Sequence, residues 1–341
     1  MEISTIGFDL AKQVFQVHGI DGAGEVLVRR RLRRCDVISF FRQLSPALVG
    51  MEACSTSHYW ARQLRALGHE VRLIPAQYVK PYVKRQKNDA ADAEAICEAV
   101  TRPSMRFVPV KTAEQQSAVM LQRTRDLLVS QRTMLVNALR GHLAEFGIVA
   151  ARGIKNVPAL MAELEDPGCG VPDLAGQALR PLADQLAAVE RQVEAIEASI
   201  VSWHKNNEIS CRLATIPGVG PIIASALAAA VPDARAFTSA RHFAAWLGLV
   251  PRQNSTGGKP RLGRISKQGD GNLRRLLIVG AQSVLRWVKP GKSNPWIVAL
   301  LARKPRKLVG VALANKMARI AWALMTRGGR YTLRATEPAT A

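Results

Sequence analysis

Four acidic residues in the first hundred positions have the types and spacing that divalent-metal chemistry on a phosphodiester requires. Asp89 and Asp92 stand three apart in the stretch RQKNDAADAEAI, directly after the basic run Lys84, Arg85, Lys87. Residues at i and i+3 are neighbours on a helix surface, where like charges repel, so the pair calls for positive charge between its carboxylates. Asp9 lies in IGFDLAK, inside an otherwise apolar strand pattern, and Glu52 lies in LVGMEACS at the end of another. A charge in such a run is costly unless it is paired or binds a cation. Hard cations such as Mg²⁺ take carboxylate oxygens. Two of them about 4 Å apart can hold the attacking and leaving oxygens of an in-line displacement at phosphorus. Taken singly, each acid has a plainer reading: a turn or cap for Asp9, and a solvated helix face for NDAADAEA, with Asn88 or Asp89 as N-cap and Glu94 on that face.

The elements that must position these acids are legible around them. STIGFDL, QVFQVHGI and GEVLVRRRL read as short strands, with Gly22–Gly24 as the turn between the last two. DVISFFRQL reads as a helix, ALVGMEA as a buried strand, SHYWARQLRALG as an amphipathic helix closed by Gly68, EVRLIPA as a strand, and NDAADAEAICEAV as a helix. The order β-β-β-α-β-α-β-α, with the first three strands antiparallel, is that of an RNase H-like α/β fold. There the first strand is central, the fourth pairs beside it, and the last helix crosses their ends, so all four carboxylates would meet.

Beyond this region, residues 112–148 read as one long helix ended by Gly147, and residues 151–175 as a Gly/Pro-punctuated connection. From 180 to 203 a heptad runs through Leu182, Leu186, Val189, Val193, Ile196 and Ile200. This is an a/d seam that either packs within its own domain or forms a coiled coil between subunits. In ATIPGVGPIIASALAAAV, Pro217–Gly220 sits between two helical patterns and resembles the turn of a helix-hairpin-helix element. In such a turn the backbone N–H groups at Gly218 and Gly220 would face a DNA phosphate; a plain helix-helix turn has the same look. A basic glycine-rich loop, RQNSTGGKPRLGRISKQGDG, and helices between 272 and 325 complete a mainly α C-terminal region, with RATEPATA as a frayed end. The expected domains are 1–150 (α/β), 151–208 (helical linker) and 209–341 (C-terminal).

Charge narrows the partner. The 341 residues carry 48 Lys/Arg against 26 Asp/Glu, a net +22. Between Pro251 and Arg330 there are 18 Lys/Arg and one acid, Asp270, which is +17 of the total. That concentration favours a polyanion such as nucleic acid. The five cysteines are scattered without a CxxC pair, which argues against a zinc site or a disulfide framework and fits a reducing compartment. The N-terminus lacks a basic and apolar leader, and the longest apolar runs are too short for a bilayer. A soluble cytoplasmic protein, nucleoid-associated and without a membrane, is expected.

In combination, IGFDLAK, GMEACS, NDAADAEAI, IPGVG and FAAWLGLVPRQNSTGGKPRLGRISKQGDGNLRRLL resemble the DEDD transposases of bacterial insertion sequences, a family that includes pilin-gene invertases. The resemblance covers nearly the whole chain. It implies a RuvC-like domain in which Asp9, Glu52, Asp89 and Asp92 bind Mg²⁺, with Mn²⁺ as an alternative. It also implies a coiled-coil linker and a C-terminal domain with a catalytic serine. It further implies recombination of element and target double-stranded DNA under a structured non-coding RNA encoded by the element, by homodimers that pair into tetramers. The family's loop has a serine just before a glycine, whereas here Ser255 and Thr256 are adjacent. Counting back from ISK selects Ser255; counting forward from PR selects Thr256. Ser255 is taken as the nucleophile, with Arg252, Lys259, Arg261, Arg264 and Lys267 as loop cations. Arg274, Arg275 and the ARKPRK run at 302–307 are taken as phosphate contacts.

Three other readings compete. A hydrolytic RuvC-type endonuclease would use the same acids with water as nucleophile and without a guide RNA. An actin-like kinase shares the β-β-β-α-β core, but no glycine-rich adenosine motif follows. A purely architectural DNA binder leaves Asp9 unexplained.

Overall fold

The apolar runs near the N-terminus form a meander: β1 (Thr5–Asp9), β2 (Val14–Ile20) and β3 (Val26–Arg33) pair antiparallel in a computed structural model of the chain. The structure describes residues 2–84, 88–166, 168–291 and 293–332. Arg85 and Lys87 of the basic run and the RATEPATA tail lie outside the described residues. After α1 (Val37–Arg42), β4 (Leu48–Glu52) returns parallel to β1; after α2 (Ser57–Ala66), β5 (Glu70–Ile74) pairs parallel to β4. A short α3 (Ala76–Val79) leads to α4 (Asp89–Val100). The sheet order is β3-β2-β1-β4-β5, a mixed α/β arrangement in the element order read from the sequence. Period-2 alternation gives the sheet two buried faces. Ile6, Phe8, Phe15, Val17, Val49 and Met51 join Phe41, Trp60 and Leu64 of α1 and α2 in one core, where the Phe8 ring lies 5.1 Å from that of Phe41. The opposite face of the sheet carries α4.

The chain divides into two compact units, residues 1–116 with 231–236, and residues 117–230 with 237 onward. In the second, α5 (Ala113–Ala144) continues from the first unit, and α6 (Val157–Glu165) occupies the stretch read as a mere connection. The heptad lies on α7 (Asp173–Lys205). Leu186, Val189 and Val193 are buried, and Leu182 and Ile196 half-buried, in one cluster with Leu128, Leu135, Leu139 and Leu143 of α5 and Val157 and Leu160 of α6. The Arg125–Glu197 ion pair also ties α5 to α7. The seam is therefore covered by this chain's own helices; a repeat of 3.5 residues specifies an apolar stripe and leaves open which helix fills it.

The remaining elements are α8 (Glu208–Leu213), α9 (Pro221–Ala230), α10 (Ala240–Trp246), the hairpin β6 (Pro251–Gln253) and β7 (Leu262–Ile265), α11 (Gly271–Arg286), α12 (Pro295–Arg303) and α13 (Arg306–Arg327). Asp270, the lone acid of the basic stretch, caps α11 by accepting from the Asn272 and Leu273 N–H groups. At 22 residues, α13 is long and apolar enough to cross a membrane, longer than any run singled out in the sequence. Val309, Leu313, Met317 and Ala321 are buried in this unit, and α13 packs on α11 and α10.

Candidate metal centre and nucleic-acid interface

The acidic site is built by bringing one helix unusually close to two strand ends. Gly7 of β1 and Gly50 of β4 are register partners. A Cβ on Gly7 would overlap the Ala93 carbonyl and the Cys97 backbone of α4, and a Cβ on Gly50 would fall 2.8 Å from the Val100 Cβ. Only hydrogens at these positions let α4 rest directly on the sheet. Because strand side chains alternate, the residues two positions on, Asp9 and Glu52, share that face at the carboxyl ends of adjacent parallel strands. Asn88 caps α4, its side-chain oxygen accepting from Ala91 N–H at 2.8 Å, which leaves Asp89 and Asp92 in the first turn. Negative charge is favourable at that end of a helix.

Asp9, Asp89 and Asp92 thus converge, each offering a carboxylate oxygen within 4.8 Å of the other two. Asp9 and Asp92 are half-buried and Asp89 is exposed. Burial first, then the charges of Asp92, Asp89 and Glu52, raise the Asp9 pKa from 3.8 to about 6. Glu52 completes the quartet from the neighbouring strand end, outside the group of three but close enough to act on Asp9. Three oxygen donors that repel one another in the absence of a cation suit a hard divalent ion. This is a candidate divalent-metal site.

Ser255 and Thr256 belong to the second unit, in the loop of an exposed hairpin where the sequence suggested only a basic loop. Thr256–Lys259 is a tight turn with Gly257 at φ 52° and Gly258 at φ 73°, the two positive φ values that a type I′ turn demands. The Ser255 Oγ accepts from the Arg261 backbone N–H at 3.1 Å and the Gln253 side-chain amide at 3.2 Å.

Comparison with known proteins bears on both regions. Residues 6–148 match a family model described as "Transposase", of the DEDD IS110 type, and residues 210–296 match one described as "Transposase IS116/IS110/IS902 family". The chain is 54% identical over 338 residues to "Probable family 20 transposase" of Pseudomonas aeruginosa, covering 97% of this chain and 99% of the relative. It is 42% identical to "Transposase for insertion sequence element IS1328" of Yersinia enterocolitica, over 96% of this chain and 98% of that one. The same identity, over 97% and 92%, relates it to "Transposase for insertion sequence element IS1111A" of Coxiella burnetii. The chain belongs to the IS110 family of insertion-sequence transposases. The first matched segment holds all four acids of the transposase, and the second holds Pro217–Gly220 and the hairpin.

The cations of the transposase fall into two groups. Arg252, Lys259, Arg261, Arg264 and Lys267 are exposed on or beside the hairpin. Lys267 adopts φ 56°, rare for a residue with a Cβ, where its N–H donates to the Gly248 carbonyl. Arg252 also donates to the Ser266 carbonyl, at 3.3 and 3.4 Å, and Arg274 and Arg275 have structural partners of their own. The Arg274 guanidinium donates to the Leu247 carbonyl at 3.1 Å and the Gln268 carbonyl at 2.8 Å, and Arg275 pairs with Asp126 and donates to Asn272. Gly218, at φ 84°, backs onto α11: a Cβ there would lie 2.6 Å from the Gly280 carbonyl oxygen. Helix packing thus accounts for this glycine. Gly220 is exposed at the start of α9, with open space where a Cβ would be. The residues missed by sequence reasoning are Gly7 and Gly50; the readable signal was a glycine two places before each strand-end acid, in IGFD and VGME.

Proposed function

We propose that the transposase cuts and rejoins DNA by phosphoryl transfer, with the acids of an RNase H-like, RuvC-like unit acting together with Ser255. The observation that carries this reading is the convergence of Asp9, Asp89 and Asp92 within 4.8 Å at the end of a sheet of order β3-β2-β1-β4-β5. Asp9, Glu52, Asp89 and Asp92 would hold Mg²⁺, with Mn²⁺ as an alternative. When bound, the ion supplies charge to stabilise the oxygens of the transferring phosphate.

In the first step the Ser255 Oγ attacks the phosphorus. An Oγ–P bond forms, the P–O3′ bond breaks, the departing 3′-oxygen takes up a proton, and the Oγ proton leaves to solvent. The Arg261 N–H on Oγ supports the developing negative charge. In the second step the freed 3′-hydroxyl of the partner strand attacks the phosphoserine. A new P–O3′ bond forms and the serine returns. The number of phosphoester bonds is unchanged, so no co-reactant is consumed. Arg252, Lys259, Arg261, Arg264 and Lys267 hold the phosphates around the serine.

The charge of +17 between 251 and 330 supports a second polyanion beside DNA, and we assign it to an element-encoded guide RNA. Pairing of copies into dimers and tetramers in the cytoplasm would bring two sets of strands together. The test is cleavage of DNA carrying element ends, with Mg²⁺ and the flanking transcript, resolved on a denaturing protein gel. A protein–DNA band that is lost in Ser255→Ala and weakened in Asp9→Ala supports the reading. Free nicks without an adduct would favour a hydrolytic nuclease.

A further inference from the structure

Six tryptophans occur in the chain, and two are exposed: Trp287 at 72% and Trp296 at 38%. Both line one cavity of about 340 Å³ among α11, α12 and α13, which Asn294, Lys316 and Tyr331 also line. Each exposed ring has a cation against it: the Arg286 guanidinium carbon lies 5.8 Å from the Trp287 centroid, and the Lys316 Nζ lies 4.4 Å from that of Trp296. Asn294, also in the lining, caps α12, its side-chain oxygen accepting from the Trp296 N–H at 3.0 Å. The segment that supplies most of the lining is one-sided in charge: residues 271–332 hold 13 Lys/Arg and no Asp or Glu.

An exposed indole offers a flat apolar face with a polar edge, which is why tryptophan is enriched at binding surfaces. Aromatic faces beside cations, in a field of one sign, are what an unpaired base and its phosphate require. The volume falls in the range of small-ligand sites.

We propose that this cavity is a stacking site for one unpaired nucleobase of a single DNA strand. The base lies against Trp287 and Trp296, and its phosphate lies toward Arg286 and Lys316. The proposal rests on the DNA-processing reading above, since unpaired bases arise wherever strands are parted for exchange. It adds a site separate from the hairpin. Duplex DNA, with its bases stacked and paired, would not enter.

The experiment uses the full chain and a short DNA strand in which 2-aminopurine replaces one adenine, beside the RNA strand of the same sequence and the DNA duplex. Stacking should quench the 2-aminopurine fluorescence. Trp287→Ala and Trp296→Ala should each weaken binding of the DNA strand about tenfold, with the quench lost and duplex binding unchanged. Trp287→Phe should restore most of the affinity. Trp287 is so exposed that its truncation leaves the core untouched. Unchanged DNA-strand binding in both alanine variants would overturn the proposal, as would quenching by the RNA strand alone. Cleavage and adduct formation by the wild type are read in parallel. Cleavage with tryptophan-independent strand binding would sink the cavity site alone; tryptophan-dependent binding without cleavage would sink the phosphoserine mechanism alone.

Discussion

Gly7 and Gly50 lie side by side in β1 and β4, and each stands two residues before a carboxylate, Asp9 and Glu52. The missing side chains set the height of α4 above the sheet and so carry Asp89 and Asp92 to Asp9. Gly7→Ala should destabilise the protein by about 1–3 kcal/mol through overpacking and abolish divalent-ion binding, because backbone has to move. Gly50→Ala meets side chains instead and should lose less of both. Thermal melts and calorimetric titration with Mn²⁺ would separate the pair.

The raised pKa of Asp9 has a sign. Its value rises from 3.8 to about 6 on folding, so the folded protein holds this proton more tightly than the unfolded chain. The stability it contributes is fully present below pH about 4 and is lost as the pH rises to about 6. In metal-free protein at neutral pH, Asp9→Asn should therefore be more stable than wild type by about 1–2 kcal/mol, allowing for screening of a half-exposed group. Below pH about 4 the two should coincide. Adding Mg²⁺ should reverse the neutral-pH ranking. Denaturant melts across this range, with and without the ion, would check it.

At the hairpin, Ser255→Ala should remove any covalent protein–DNA adduct while DNA binding persists. Thr256→Ala should retain the adduct, since Thr256 starts the turn and only Ser255 receives the Arg261 N–H. Adduct yield on denaturing gels is the readout.

The two groups of cations should respond differently. Alanine at Lys259, Arg261 or Arg264 should weaken DNA binding about equally across sequences. Each should lower the slope of log affinity against log salt by about 0.9. Arg274→Ala should leave the salt slope alone and lower the melting temperature, because carbonyls of Leu247 and Gln268 lose their donor. Binding isotherms at several salt concentrations, set beside melting curves, distinguish the outcomes.

The α7 stripe makes a further prediction. Leu186→Ala should cost about 2–5 kcal/mol as a cavity mutation, with no change in oligomeric state, since Leu186 packs with this chain's own helices. Light scattering alongside denaturant melts would test both halves.

The acids were legible because a charge in an apolar run breaks the strand pattern, and Asp9 does so within five residues of sheet. The strand order was legible because three short strands in succession leave little choice but a meander. Gly7 and Gly50 went unread, since a glycine in a strand looks like a weakness until its neighbour across the ladder is known. The heptad gave the buried face of α7 without its occupant, because α5 supplies that surface from far away in the chain. Arg275 was taken as a phosphate contact, and its ion pair went unread for a similar reason: Asp126 is 149 residues distant. The hairpin was hidden because its strands are short, with no buried alternation to betray them.

That last property has a consequence for how such a protein can change. Every residue from Pro251 to Arg264 is exposed, and the segment is shaped by its own turn and ladder. Nothing in it must fit an interior, so its side chains answer only to what they touch in solution. Hairpins from relatives should therefore transplant as cassettes. The inward-facing glycines beneath α4 allow no such freedom. Novelty in this lineage can accumulate at one hairpin while the acidic site stays fixed by geometry.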